Sequence, residues 1–221
     1  MYARLMALLC LLPVSTFLAL ADSAVPTGAT LEVYVKGQES STPDVLRAMN
    51  RELETLMLPA GFRIIWRGAS DPPSTAGAEH LIMVELRGVC MAQFSSMASR
   101  PLSFPLPLAS SSVADGRVLP FSWVDCTALN RFLAPVVSSP SQSEQDDLYG
   151  RSMARLLAHE FYHILAQTDN HTMTGIAKAR FSTADLLADH FDFETSALER
   201  LRPPSTVARS TASDDASGAA R

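Results

Sequence analysis

Gln145-Asp146-Asp147-Leu148-Tyr149-Gly150-Arg151-Ser152-Met153-Ala154-Arg155-Leu156-Leu157-Ala158-His159-Glu160-Phe161-Tyr162-His163-Ile164-Leu165-Ala166 is the stretch from which the rest of the chain is read. Its pattern predicts one long helix. Asp146 and Asp147 fall in the first turn, where acids favour the helix dipole, and Leu156, Leu157, Ile164 and Leu165 supply apolar flanks near its end. Within it, His159-Glu160-Phe161-Tyr162-His163 has the form H-E-x-x-H, so the two imidazoles stand one turn apart on one face.

Working outward, Leu31-Glu32-Val33-Tyr34-Val35 alternates at period two and predicts a half-buried strand that Gly37 ends. Thr42-Pro43-Asp44 supplies a helix start, and Val45, Leu46, Met49, Leu53, Leu56 and Met57 follow at helical spacing until Pro59 and Gly61. Phe62 to Trp66, His80 to Leu86 and Arg117 to Val124 read as further strands, whereas Ser95 to Gly116, with Pro101, Pro105 and Pro107, is too broken for a regular element. Phe181 to Leu201 reads as one amphipathic helix, with Leu186, Leu187, Phe191 and Leu198 inward and His190 on the surface. The expected class is α+β: a small twisted sheet packed on the long motif helix and on the helix of Pro43 to Leu58, with a cleft between sheet edge and motif helix.

Two histidines one turn apart reach one zinc ion, and the glutamate beside them has the chemistry of a general base. Glu160 would take a proton from a zinc-activated water and pass it to the leaving amine, while zinc polarises the scissile carbonyl. Catalytic zinc usually has three protein ligands and keeps the fourth position open. Two residues downstream qualify as the third, His171 and Asp169. In the metzincin pattern H-E-x-x-H-x-x-G-x-x-H/D, Asp169 takes the downstream slot, but Ala166 stands in place of the glycine, and a positive φ there costs energy. A longer excursion ending at His171 avoids that turn, and imidazole is the commoner ligand. A rival arrangement would draw the ligand from Asp185, Asp189, His190 or Glu194.

The chain resembles secreted bacterial metzincin-like proteins in which the motif continues H-E-x-x-H-L-L-x-G-x-x-x-H and then G-I-M-x-A. The matching residues are His159 to His163, Ile164-Leu165, His171 and Gly175-Ile176-Ala177-Lys178-Ala179. Weaker similarity covers the opening strand, helix and strand, Cys90 and Cys126, and Phe181 to Leu187. The resemblance implies a metzincin-like zinc metallopeptidase with His171 as third ligand. This chain departs from it with Gln167 in place of the glycine and Ala177 in place of the methionine that floors the site; Met173 is the alternative for that floor, the Met-turn.

Arg4 precedes an apolar run from Leu5 to Leu20 that ends in Ala19-Leu20-Ala21, the form of a signal peptide spanning residues 1–21. Pro13, Ser15 and Thr16 make that run a poor permanent anchor, so no stable membrane attachment is expected after cleavage. The expected compartment is secreted or periplasmic, where Cys90 and Cys126 would pair as a disulfide, the competing reading being two buried thiols. Hydrophobic residues make up 47% and charged residues 19%, the composition of one globular domain, placed at residues 22–202, with a disordered tail at 203–221. A net charge of -5 without any Lys/Arg cluster argues against a nucleic-acid partner. Two functions follow: a zinc endopeptidase acting on peptide or protein substrates, or a secreted, zinc-stabilised binding module that has lost catalysis.

Overall fold

The computed structural model describes residues 28–72, 78–94, 107–138 and 141–203. The signal-peptide segment and the tail from 204 onward lie outside them. Five strands form one mixed sheet: β1 (Ala29–Lys36), β2 (Phe62–Gly68), β3 (His80–Arg87), β4 (Ala109–Ala114) and β5 (Arg117–Asp125). Their order is β2-β1-β3-β5-β4, with β4 antiparallel to β5 and every other pair parallel. The class is α+β.

Helix α1 (Pro43–Met57) starts where the sequence reading places it. Thr42 Oγ1 accepts from the Val45 amide and Pro43 takes the first helical position, where its missing N–H has no partner to lose. Helix α2 (Cys126–Leu133) follows β5 directly, capped by Asp125, and was not legible from its short pattern. The motif helix α3 (Gln142–Ala166) begins three residues earlier than its acidic turn indicates, because Ser141 caps it.

Strand β1 departs from the half-buried expectation. Leu31, Val33 and Val35 point into the core, yet Glu32 and Tyr34 on the other face are buried as well. A central strand makes this unavoidable, and Glu32 is compensated by Arg67 of β2 at 3.6 Å and by the Tyr34 hydroxyl at 3.1 Å.

Helices α1 and α3 cross at Gly150, where a Cβ would lie 2.5 Å from the Val45 carbonyl oxygen and 2.7 Å from the Ala48 Cβ. Outside this close approach, Arg155 and Glu52 pair at 2.8 Å and Arg51 and Asp147 at 2.6 Å. Backbone sits on both sides of the contact, so a side chain at position 150 has no flexible neighbour to displace. Gly150→Val should therefore cost at least about 3 kcal/mol, read as a fall in the urea midpoint at unchanged m-value. An unchanged midpoint would mean the helices are not seated at this distance.

Two expectations are corrected. Ser95 to Gly116 is not wholly irregular, since it contains β4. Asp115 and Gly116 both have positive φ, at 51° and 73°, and turn the chain so that Ala114 pairs with Arg117. An Asp-Gly pair is a strong hairpin signal, obscured here by the serines and prolines before it. Phe181 to Leu201 is likewise not one helix but two, α4 (Thr183–Leu187) and α5 (Thr195–Leu201). Its carbonyls are taken from outside. Arg155 donates to the carbonyls of Asp185 and Leu186, Arg151 to those of Ala188 and Asp189, and the Ile176 amide to that of Asp192. Oxygens engaged this way do not carry a helical ladder across residues 188–194. Among the described residues no helix is long and apolar enough to cross a membrane.

Candidate functional site

Helix α3 delivers His159 and His163 to the cleft between its own C-terminal half and strand β4. The chain then leaves the helix at Gln167, which takes the left-handed conformation, φ 48° and ψ 48°, without being glycine. Its side-chain amide donates to the carbonyls of Val118, at 2.8 Å, and Ile164, at 2.7 Å, and these bonds offset the unfavourable backbone. The turn that the missing glycine put in question is made, one residue past Ala166, and the loop beyond brings His171 back over the helix.

Among the described residues, one group of three or more metal-ligating side chains comes together: His159, His163 and His171, whose ligand atoms lie within 4.8 Å of one another. The His171 ring stacks on that of His159, centroids 5.3 Å apart, and meets His163 edge-on at 4.8 Å. Asp169 is exposed and outside the group. The rival candidates lie outside the group as well: Asp185 is paired with Lys178 at 2.7 Å, and His190 is exposed.

The backbone sets the tautomers of both helix histidines. His159 Nδ1 lies 2.8 Å from the Ile176 carbonyl oxygen and His163 Nδ1 lies 2.7 Å from that of Thr168. A carbonyl only accepts, so each Nδ1 carries the proton and each Nε2 is left with a bare lone pair. Those two Nε2 atoms face each other 3.0 Å apart. Protonating one would relieve the clash of lone pairs, but burial pushes His159 down to about 4 and lowers His163 as well. Near neutral pH both rings are therefore neutral, and their facing lone pairs are the donor set a cation would take. Zinc held tetrahedrally at about 2.0–2.1 Å from each nitrogen spaces two ligand nitrogens by about 3.3 Å, so this pair fits it.

Glu160, next along the helix, is 7% exposed and lies against β4, where the Ser111 hydroxyl donates to its Oε2 at 2.6 Å. Burial raises its carboxyl to about 7, against the opposing pull of the Ser111 bonds. Ser111 is the site residue that sequence reasoning missed, because it belongs to the strand that was not anticipated. The Ile176 and Thr168 carbonyls were also missed, since backbone groups leave no residue signature.

The floor differs from expectation. Met173 is 92% exposed, whereas Ile176 and Ala177 are fully buried and the Ile176 carbonyl meets His159. Gly175 makes this possible with φ 69° and with the Asp192 carbonyl 2.5 Å from where a Cβ would stand. Tyr149 and Tyr162 are fully buried; the first donates to the Cys126 carbonyl and the second is hydrogen-bonded by Arg200. Cys90 and Cys126 form a disulfide with Cα atoms 4.9 Å apart, joining the end of β3 to the start of α2.

Comparison with protein families, curated proteins and solved structures finds no match.

The metal-free protein should show opposed pH effects. His159 titrates near 6.5 when unfolded and near 4 when folded, so the stability tied to its neutral ring is complete above pH 6.5 and lost as pH falls towards 4. Glu160 runs the other way, from 4.5 unfolded to about 7 folded, and costs stability as pH rises across that window. Each spans at most about 3 kcal/mol. Glu160→Gln removes the second effect, so the chelator-treated variant should gain stability steadily from pH 4 to 6.5 while the parent stays flatter, as read from thermal midpoints. Parallel profiles would contradict these environments.

Proposed function

We propose that the protein is a secreted zinc-dependent metallopeptidase of metzincin-like type, with His159, His163 and His171 as ligands and Glu160 as general base. The observation that carries the reading is the pair of bare Nε2 lone pairs 3.0 Å apart, each fixed by a carbonyl bond on the opposite ring nitrogen. Such second partners orient metal-binding imidazoles and raise their basicity. The disulfide and the signal-like N-terminus support export.

Bound there, zinc supplies a Lewis acid that polarises a carbonyl and acidifies water. The remaining work falls to the chain. The buried Glu160 carboxyl, poised near 7, takes a proton from the attacking water and returns it to the leaving amine, a role that requires a pKa close to working pH. Ser111 holds Oε2 and so fixes the carboxyl for this role. Strand β4 is the sheet edge beside the helix, so an extended peptide can add to it through backbone hydrogen bonds and cross the histidines.

The test is elemental analysis of the purified chain after dialysis, combined with hydrolysis of unfolded casein by the zinc-loaded protein. One zinc per chain with turnover supports the proposal. One zinc without turnover on any unfolded substrate replaces it with the zinc-stabilised binding module, and no zinc rejects both.

A further inference from the structure

The two chambers that flank the histidines differ in character. One, of about 250 Å³, is lined by Ser110, Ser111, Val113, His163, His171 and Asp169 among others, and its one exposed charge is the Asp169 carboxylate. The other, of about 590 Å³, meets His159 and Glu160 and is walled by Leu108, Phe132, Leu156 and Phe181. Two cations complete this second chamber, Lys178 and Arg180.

The cations are not equivalent. Lys178 Nζ lies 2.7 Å from Asp185 and 5.4 Å from the centre of the Phe191 ring, so its charge is already matched. Arg180 is exposed and, among the described residues, has no ion-pair or hydrogen-bond partner. An unmatched guanidinium thus stands at the mouth of an apolar chamber that opens beside the general base, while the opposite chamber carries a negative group.

We infer that this chamber selects peptides with a bulky apolar side chain next to the scissile bond and a carboxylate one residue further out, with Arg180 as the specificity-determining residue. The inference rests on the peptidase reading and deepens it. Apolar walls reward the burial of a large side chain, and a guanidinium takes a carboxylate through two parallel hydrogen bonds that a lysine or glutamine in the peptide cannot accept. Because Arg180 is exposed, the discrimination is moderate, about five- to tenfold for glutamate over lysine. The carboxylate belongs either to an acidic side chain or to the end of the peptide.

The experiment uses peptides of one sequence with phenylalanine after the scissile bond and glutamate, glutamine or lysine in the next place. A shortened peptide ending after that phenylalanine is added as free acid and as amide. Zinc-loaded protein digests them in competition, and binding of the same peptides to the zinc-loaded Glu160→Gln variant is followed by fluorescence anisotropy. The glutamate peptide should lead in kcat/KM and in affinity, with the ratio over lysine falling to near one in Arg180→Ala and inverting in Arg180→Glu. A free acid that exceeds both its amide and the internal glutamate supports recognition of a chain terminus. Hydrolysis whose selectivity ignores both Arg180 variants overturns the inference and leaves the peptidase standing. Absence of hydrolysis with Arg180-dependent binding removes the peptidase and keeps the chamber's selectivity. No binding of any peptide overturns the inference.

Discussion

His159→Ala should bind no zinc after dialysis, whereas the parent chain retains one per molecule and is stabilised by it. The ring supplies one of two preset Nε2 donors, and among the described residues only His163 and His171 join it in the group. At a zinc concentration a thousand times the dissociation constant, linkage stabilises the parent by about 4 kcal/mol, and the variant forgoes all of it. The variant also leaves the Ile176 carbonyl without its donor, which should lower the metal-free thermal midpoint as well. The same titration decides the third ligand. His171→Ala should weaken zinc by about a hundredfold or more, and Asp169→Ala by less than about tenfold, since the aspartate lies outside the cluster. The reverse order would reassign the ligand to Asp169, and zinc retained by His159→Ala would dismiss the site.

Glu160→Gln should lower kcat on casein by about 10³ to 10⁴ while zinc stoichiometry stays at one. Glutamine keeps the shape and an oxygen that can still accept from Ser111, so the helix and the ligands have no reason to move. What it loses is the ability to hold a proton and give it back. KM should change little, because in the proposed reading the strand edge and the chambers, not Glu160, hold the substrate. Turnover close to the parent's would exclude Glu160 as the base and return the motif to a purely metal-holding role.

The pattern of legible and illegible features has a physical basis. Helix α3, its two histidines and Glu160 lie within a few turns of one element, so spacing alone places them on adjoining positions. The caps at Thr42 and the strands with clear alternation are equally local. Strand β4 was hidden because Ser110 and Ser111 bury little; it forms because the Asp115-Gly116 turn folds it onto β5. The split between α4 and α5 was hidden for a different reason. Arg151 and Arg155, some thirty residues upstream, take the carbonyls that a continuous helix would have used.

By itself, then, the sequence determined the α+β class, the motif helix and the residue types able to bind zinc and move a proton, since each of these depends on local periodicity or on side-chain identity. Only the tertiary structure decided that His171 rather than Asp169 joins the other histidines, that Met173 is not the floor, that Ser111 holds Glu160, and that carbonyls of Thr168 and Ile176 bare the two facing nitrogens. Those are contacts between backbone and side chains distant along the chain, and they exist only once packing has set the loop after Ala166 against helix α3.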